Sequence, residues 1–325
     1  MMNIGIPRAL LYYDYFPFWK TFFESLGHKV HISKKTNKEI LNKGVKTAVD
    51  DVCLPVKVYF GHVLDLVGNV DRVFMPRVVS VDKNTFYCPK LFALSDILIS
   101  SNTISPESII DIEINFKKGN WHFAKQLMYL SDLLQSPKYQ LWSAFQKAKK
   151  NQSIYTNKLK EGQLPSELLS QSIDKNRREI LERAPEMRIG VFGHTYNVND
   201  DFINMGLINY LSDCNIKAIT CEMYTREELK NGLSLLYKPT FWTFGEEILG
   251  AVLRQVETRE VDGIIIPVAF GCGPDSLIIE ICERECAKHN IPLLILTLDE
   301  HTGKSGVITR LEAFIDMLRR RKQAI

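Results

Sequence analysis

The chain has 325 residues, 45% of them hydrophobic and 24% charged, which is typical of a globular protein with room for two domains. Its net charge of +3 is too small to indicate a nucleic-acid partner. No apolar run is long enough to span a membrane, and the first residues lack a signal-peptide layout. Because its seven cysteines come without such a layout, we expect a reducing cytoplasm and no disulfide framework.

Strands and helices alternate in the N-terminal part of the chain. The pattern predicts a short buried strand over 3–6 and a helix over 10–26, which Gly27 ends. Further strands follow at 28–32 and 72–75. Such alternation is typical of a parallel sheet with helical crossovers, and we expect a first lobe over 1–119.

A glycine-poor segment follows over 120–186. It contains one glycine, Gly162, and many Lys, Gln, Leu and Ser residues, and Pro165 interrupts it. This composition predicts helices that connect or brace two lobes.

The C-terminal part, 187–325, repeats the alternation. Its predicted strands and helices are 188–192, 201–213, 216–220, 263–267, 276–289 and 292–296. The continuous apolar runs at 263–267 and 292–296 are typical of parallel strands that are covered on both faces. The fold class predicted is therefore α/β, with two Rossmann-like parallel-sheet lobes joined by a helical segment.

Three cysteines share one local setting. Cys53, Cys88 and Cys272 each stand just before a proline and a helical run, so each is predicted to begin a helix. The positive end of a helix dipole lowers a thiol pKa and favours thiolate. Three such thiolates predict one soft-metal site, a [4Fe-4S] cluster with one iron left without a cysteine. Because parallel sheets bind ligands beyond the carboxyl ends of their strands, we expect the cluster in the cleft between the lobes.

The other cysteines favour a simpler interpretation. Cys282 and Cys286 lie four residues apart on a predicted helix and could face the same way. They are either a pair of metal ligands or ordinary core residues. Cys214 and Cys221 stand where a helix ends and a strand follows, which favours core packing. Zinc is an alternative metal, although structural zinc sites favour closely spaced cysteine pairs, and the three helix-start cysteines form none.

Polar residues at predicted strand ends are candidate catalytic groups. His194 follows the first strand of the second lobe, and Glu300 and His301 follow its last strand. Their imidazole and carboxyl groups suit a polar ligand in the cleft. The alternative for the loop with Glu300 and His301 is capping of the helix that follows.

Five segments carry a resemblance to a known family: 4–10, 53–57, 270–276, 299–303 and 308–314. With their Gly-Cys-Gly-Pro and Asp-Glu-His motifs, they resemble the acyl-CoA dehydratase activase-related proteins. That group is similar to the cluster-bearing D-component of 2-hydroxyacyl-CoA dehydratases and to double-cubane cluster proteins. The resemblance covers nearly the whole chain except the helical connection.

The resemblance implies that Cys53, Cys88 and Cys272 hold the cubane. It also implies that a separate ATP-hydrolysing iron–sulfur activator passes single electrons to it. The activity implied is that of a reductase or a 2-hydroxyacyl-CoA dehydratase-like lyase acting on a small molecule or an acyl-CoA. Double-cubane relatives hold an [Fe8S9] cluster on six cysteines. Here four of the seven lack the helix-start setting, which favours a single cubane.

Two classes of function remain open at this point. One is an enzyme whose substrate binds the open iron, and the other is a non-catalytic electron relay or cluster scaffold. Structural zinc is a third alternative. The sequence leaves a homodimer open and does not identify the substrate.

Overall fold

The structure is a computed structural model that describes residues 1–170, 184–238 and 240–324. It contains two compact units. The first comprises residues 1–158 together with 241–243, and the second comprises 159–240 and 244–325. Within the described residues no helix combines the length and the apolarity needed to cross a membrane.

The first unit is built from strands and helices in alternation. Its strands are β1 (Asn3–Ile6), β2 (Lys29–Ile32), β3 (Arg72–Phe74), β4 (Arg77–Ser80), β5 (Ile109–Ile110) and β6 (Glu113–Asn115). Its helices are α1 (Tyr12–Ser25), α2 (Lys38–Thr47), α3 (Leu54–Leu66), α4 (Pro89–Ser100), α5 (Asn120–Leu133) and α6 (Lys138–Lys160), whose last two residues fall in the second unit.

The central sheet of this unit is parallel, in the order β2-β1-β3-β5. Ile4 pairs with Val30 on one side and with Arg72 on the other, and Val73 pairs with Ile109. A second, two-stranded parallel sheet joins β4 to β6. The apolar residues of β1 and β3 are buried, which explains why both run through the middle of the sheet.

The backbones of helices α2 and α3 approach each other very closely at two glycines. A Cβ atom on Gly44 would lie 1.7 Å from the Lys57 carbonyl oxygen, and one on Gly61 would lie 2.0 Å from that of Ile40. Only glycine permits backbones this close. The contact fixes α3, whose first residue follows Cys53.

A short segment from far along the chain belongs to the first unit. The Phe86 amide donates to the Phe241 carbonyl (2.8 Å), and the Thr243 amide donates to the Phe86 carbonyl (2.9 Å). The hydroxyl groups of Thr85 and Thr243, both buried, lie 2.9 Å apart. This pairing fixes the loop that leads into Cys88.

The second unit has the same design. Its elements are α7 (Pro165–Leu168), β7 (Met187–Val191), α8 (Thr195–Asn199), α9 (Leu207–Asp213), β8 (Ile216–Thr220), α10 (Arg226–Leu233), α11 (Thr243–Thr258), β9 (Gly263–Ala269), α12 (Gly273–Lys288), β10 (Leu293–Leu298) and α13 (Lys304–Gln323). Helix α11 begins at Thr243, which belongs to the first unit.

The sheet of the second unit is parallel, in the order β10-β9-β7-β8. In each unit the first strand therefore lies between the second and third strands of that unit. The fold class predicted from the sequence, two parallel-sheet α/β lobes, is confirmed. In this unit, Leu249, Val252 and Ile264 are among the buried residues of one apolar core.

One predicted helix differs from the structure. The pattern predicted a single helix over 201–213, whereas α9 begins at Leu207. The residues before it form a turn closed by side chains. Asp200 accepts from the amides of Phe202 and Ile203, and Asn204 accepts from the amides of Gly206 and Leu207. Short polar side chains that satisfy backbone donors in this way compete with helix.

Candidate metal centre

Cys53 and Cys88 occupy equivalent positions in the first unit. Cys53 is the N-cap of α3 and Cys88 is the N-cap of α4, and each helix has a proline in its first turn. Both thiols are partly exposed. They also lie near enough to each other for a charge on Cys88 to raise the pKa of Cys53. The two predicted helix starts are confirmed.

The direction of the Cys53 pKa differs from the expectation. The helix dipole predicted a lowered pKa, but burial raises the pKa of this thiol above its ordinary value, and the nearby Lys90 cation opposes that effect only in part. Desolvation outweighs the helix start because the cysteine stands directly before an apolar, almost fully buried helix. A soft cation bound to the sulfur would supply the missing stabilisation of thiolate.

Cys272 has the same setting in the second unit. It follows β9 and is the N-cap of α12, which again has proline in its first turn. Gly271 before it has φ +74°, a left-handed conformation that turns the chain sharply between strand and helix. The thiol therefore lies at the carboxyl edge of the sheet, where α/β folds place their ligands.

A compact group of donors surrounds this cysteine. One ring nitrogen of His194, the Cys272 sulfur and one carboxylate oxygen of Asp275 all lie within 4.8 Å of one another. His194 follows β7, and Asp275 lies on the first turn of α12. Because β7 and β9 are neighbours in the sheet, the loops after them meet at the same edge. A nitrogen, a sulfur and an oxygen donor in this arrangement can hold a transition metal.

The His194 ring is held on several sides. Its Nε2 atom lies 2.8 Å from Asp275 Oδ1, and its Nδ1 atom is hydrogen-bonded to the Tyr196 hydroxyl. Phe244 stacks on the ring with centroids 4.6 Å apart. His194 and Asp275 are both buried. The ring orientation is therefore fixed before any ligand binds.

The close contact between His194 and Asp275 is not a well-formed hydrogen bond. Although the atoms are 2.8 Å apart, they are poorly aligned, and neither His194 Nε2 nor Asp275 Oδ1 has a hydrogen-bond partner among the described residues. Buried polar atoms without partners are costly. These two unpartnered polar atoms beside a thiol fit a metal or metal cluster at this edge.

Glu300 and His301 lie elsewhere along the same edge of the sheet. They follow β10, the other neighbour of β9, and His301 is exposed. Within the described residues neither belongs to the His194–Cys272–Asp275 group. Their loop is closed locally, because Asp299 accepts from the His301 amide and from the Thr302 hydroxyl. Hydrogen bonding to Thr302 lowers the pKa of Asp299.

The remaining cysteines lie away from these settings. Cys221, Cys282 and Cys286 are buried in the apolar core of the second unit. Burial raises the pKa of the Cys221 and Cys286 thiols, the latter to about 12, which keeps them protonated. Cys214 is partly exposed beside Tyr210. The core interpretation of the Cys282–Cys286 pair and of Cys221 therefore agrees with the structure, whereas Cys214, for which core packing was also predicted, is only partly buried.

Asp275 was not singled out from the sequence. It lies in the segment 270–276, and an acid in the first turn of a helix is ordinarily explained by the dipole. Its contact with His194 depends on the adjacency of β7 and β9, which no local pattern specifies. The phenylalanine that stacks on His194, Phe244, is likewise distant in sequence.

Comparisons with known families agree with this description. Residues 3–224 match the family described as the CoA enzyme activase uncharacterised domain, which is more than half of the chain. The chain belongs to this CoA enzyme activase domain family. Residues 208–318 also match the family of the 2-hydroxyglutaryl-CoA dehydratase D-component. No curated protein is significantly similar to the chain.

The two matches overlap over residues 208–224, within the second unit. The dehydratase match covers α9 to α13 almost completely, and it includes Cys272 and Asp275. The activase-domain match includes Cys53, Cys88 and His194. The suspected family relation is thus confirmed, and a dehydratase-related component is the coarse functional class.

Proposed function

We propose that this protein is an iron–sulfur component for dehydratase-type or reductive chemistry, with Cys53, Cys88 and Cys272 as ligands of one [4Fe-4S] cluster. The observation that carries the proposal is the repeated N-cap setting of the three thiols. Each begins a helix with proline in its first turn, and each is partly exposed, whereas Cys221, Cys282 and Cys286 are buried in the core.

The local surroundings of the three sulfurs support this ligand set. The Lys90 cation near Cys53 and the backbone donors at the helix starts favour a negatively charged group. The core position of three other cysteines argues against an [Fe8S9] double cubane on six cysteines.

A [4Fe-4S] cluster held by Cys53, Cys88 and Cys272 would leave one iron without a protein ligand and would supply low-potential electrons for the reaction. The chain contributes position and electrostatics. His194, held by Tyr196 and Phe244, would orient a polar group of the substrate without a reorganisation cost. Glu300 and His301 stay candidate substrate contacts at the same edge. The two family descriptions, an activase domain and a dehydratase component, favour an ATP-hydrolysing activator as the electron donor.

Replacement of each ligand by serine tests the proposal. We expect Cys53→Ser, Cys88→Ser and Cys272→Ser each to lose most of the iron and sulfide per chain after anaerobic purification, because serine oxygen is a poor ligand for this cluster. Cys214→Ser is the matched control, since Cys214 is also partly exposed but begins no helix, and it should keep the parent's iron content. Full iron in all three variants would contradict the ligand assignment.

A single divalent ion is the second candidate. The compactness of His194, Cys272 and Asp275 favours it, since zinc accepts nitrogen, sulfur and oxygen donors and keeps an open position in catalytic sites. Metal and sulfide analysis of the same anaerobic preparation distinguishes the cluster from the single ion. Colourless protein with one zinc and no acid-labile sulfide, bound independently of Cys53 and Cys88, would favour the mononuclear site.

Ligand binding distinguishes an enzyme with an open iron from a non-catalytic electron relay. With substrate access to an open iron, cyanide, azide or acyl-CoA esters should change the electron paramagnetic resonance spectrum of the reduced protein. A spectrum unchanged by the whole panel would favour an electron relay or cluster scaffold.

A further inference from the structure

Arg8 lies where the strand order of the first sheet changes direction. Strand β1 ends at Ile6, β2 pairs on one side of it, and β3 pairs on the other. The chain leaves β1 toward β2 and leaves β3 toward β5, so the two connections run in opposite directions. Open α/β sheets bind ligands in the crevice that forms at such a switch point, beyond the carboxyl ends of the strands. Arg8 is the second residue after β1 and is partly buried there.

Two arginines follow strands of this sheet, and they differ in their partners. Arg77, which comes after β3, contacts Asp111 through its Nε atom and Asp96 through a second nitrogen, both at 2.6 Å. Arg8 forms no ion pair with any carboxylate in the part of the chain that the structure describes. Its Nε atom is buried and has no hydrogen-bond partner there. The charge of Arg77 is therefore compensated within the fold, and that of Arg8 is not.

The Tyr12 ring lies beside the Arg8 guanidinium, with Arg8 Cζ 5.7 Å from the ring centre. Tyr12 is only 5% exposed, and its hydroxyl oxygen is buried without a hydrogen-bond partner among the described residues. Burial raises the pKa of this hydroxyl, and the nearby Arg8 cation opposes the rise in part. The hydroxyl is therefore a neutral donor held next to a cation.

A buried chain of hydrogen bonds fixes the backbone of Arg8. Its amide donates to Ser33 Oγ at 2.9 Å, and that oxygen lies 2.8 Å from His62 Nδ1. The other ring nitrogen of His62 lies 2.9 Å from the Thr36 hydroxyl. Burial lowers the pKa of His62, so the ring is neutral and both of its nitrogens are occupied. The chain therefore positions Arg8 without engaging its guanidinium and without adding a second charge.

We propose that the Arg8 guanidinium and the Tyr12 hydroxyl bind an oxyanion, the carboxylate or phosphate group of a small molecule, at the switch point of the first sheet. Both unpartnered groups are donors, so their ligand must be an acceptor, and the charge of Arg8 favours an anion. A planar guanidinium matches the oxygens of either group. The site goes beyond the proposed cluster, because neither residue is a candidate metal ligand.

The nearest acid along the chain does not occupy this position. Asp14 is two residues beyond Tyr12 on α1, and side chains two residues apart on a helix do not face each other. Water alone in the crevice is the competing arrangement. It would satisfy the two donors but would give no anion binding that depends on Arg8.

Calorimetric titration tests the site. The complete chain, purified anaerobically with its metal, is titrated with inorganic phosphate, succinate and coenzyme A at constant ionic strength. We expect saturable binding of at least one probe, and Arg8→Gln should weaken it at least tenfold, because a hydrogen bond to a charged group is lost. Tyr12→Phe should weaken it about threefold to tenfold. A preference for succinate would identify a carboxylate site, and a preference for phosphate or coenzyme A a phosphate site.

The matched control is Arg320→Gln, which makes the same change of charge at an exposed position of α13 and should bind like the parent. Without ligand, Tyr12→Phe should be at least as stable as the parent in urea, because its hydroxyl gives up no partner.

No binding of any probe to the parent, or parent-like affinity in Arg8→Gln, as for a probe bound to iron, would overturn the proposal. If Arg8→Gln does not fold, parent-like affinity in Tyr12→Phe overturns it instead. Iron and sulfide are measured on the same samples, so a failure of the proposed cluster is detected separately.

Discussion

His194 and Asp275 contact each other at 2.8 Å in the interior of the second unit, although one follows β7 and the other lies on α12. The contact exists because β7 and β9 are adjacent parallel strands whose following loops meet. Cys272 shares the same corner. The carboxylate therefore lies beside both an imidazole nitrogen and a thiol, where it could orient or complete a set of metal ligands.

Replacement of this carboxylate tests the relationship. We expect Asp275→Asn to release iron to a chelator at ten to a hundred times lower chelator concentration than the parent, because loss of an orienting partner typically weakens metal affinity by that factor. Asp316→Asn, on the exposed side of α13, is the control with the same chemical change. Identical chelator curves for Asp275→Asn and the parent would contradict the role.

The buried hydroxyl pair of Thr85 and Thr243 should stabilise the loop before Cys88. Thr243→Val keeps the shape but removes one hydroxyl, and the Thr85 hydroxyl then keeps its bond to Asp82 but loses the one to Thr243. We expect a loss of about 1–2 kcal/mol in the free energy of unfolding and faster amide exchange at Phe86. Urea unfolding and hydrogen exchange measure these effects. Thr258→Val, at an exposed helical hydroxyl, should change neither.

The contact between α2 and α3 should not tolerate one added methyl group. Gly61→Ala would place a Cβ atom 2.0 Å from the Ile40 carbonyl oxygen, so the helices must separate. We expect a loss of about 1–3 kcal/mol, measured by thermal or urea unfolding. Gly306→Ala on α13 meets nothing within 4 Å and should be neutral or stabilising. Equal stability of the two variants would show that the close approach is not required.

His62 predicts a pH dependence of stability. It is fully buried, and its ring lies 2.8 Å from the Ser33 hydroxyl and 2.9 Å from the Thr36 hydroxyl. Burial lowers its pKa to about 3. The unfolded chain therefore binds the extra proton from the ordinary pKa downward, and stability is lost as the pH falls from about 6.5 toward 3.

The slope from this one group is at most about 1.4 kcal/mol per pH unit. Urea unfolding of the parent at pH 5.5, 6.5 and 7.5 measures it. His62→Asn should be less stable than the parent at pH 7.5, and its stability should fall less steeply below pH 6.5. A parallel decline in both proteins would rule out His62 as the source.

Regular elements followed from local pattern more closely than the site did. The apolar runs at Ile264–Ile266 and at Leu293–Leu296 predicted parallel strands, because strands covered on both faces need apolar residues throughout. Proline after Cys53, Cys88 and Cys272 predicted helix starts, since proline loses no hydrogen bond there.

The parts that escaped prediction depend on contacts between distant residues. The turn before α9 contains Ile203 among polar residues, a pattern that predicted helix. The structure shows instead that the side chains of Asp200 and Asn204 accept hydrogen bonds from the backbone amides of Ile203 and Leu207. The pairing of Phe86 with Phe241 has no local pattern at either end. The raised pKa of Cys53 follows from the burial of its thiol, which outweighs the favourable helix start.

The distribution of thiols gives the second unit a built-in chemical reporter. Four cysteines are partly exposed, and three are enclosed by the core around Leu249 and Val252. In metal-free protein, an alkylating reagent should react with the four partly exposed cysteines under native conditions. It should react with the three core cysteines only after that core has opened. Mass spectrometry of labelled Cys221, Cys282 and Cys286 would thus follow the opening of the second unit, with no probe added to the sequence.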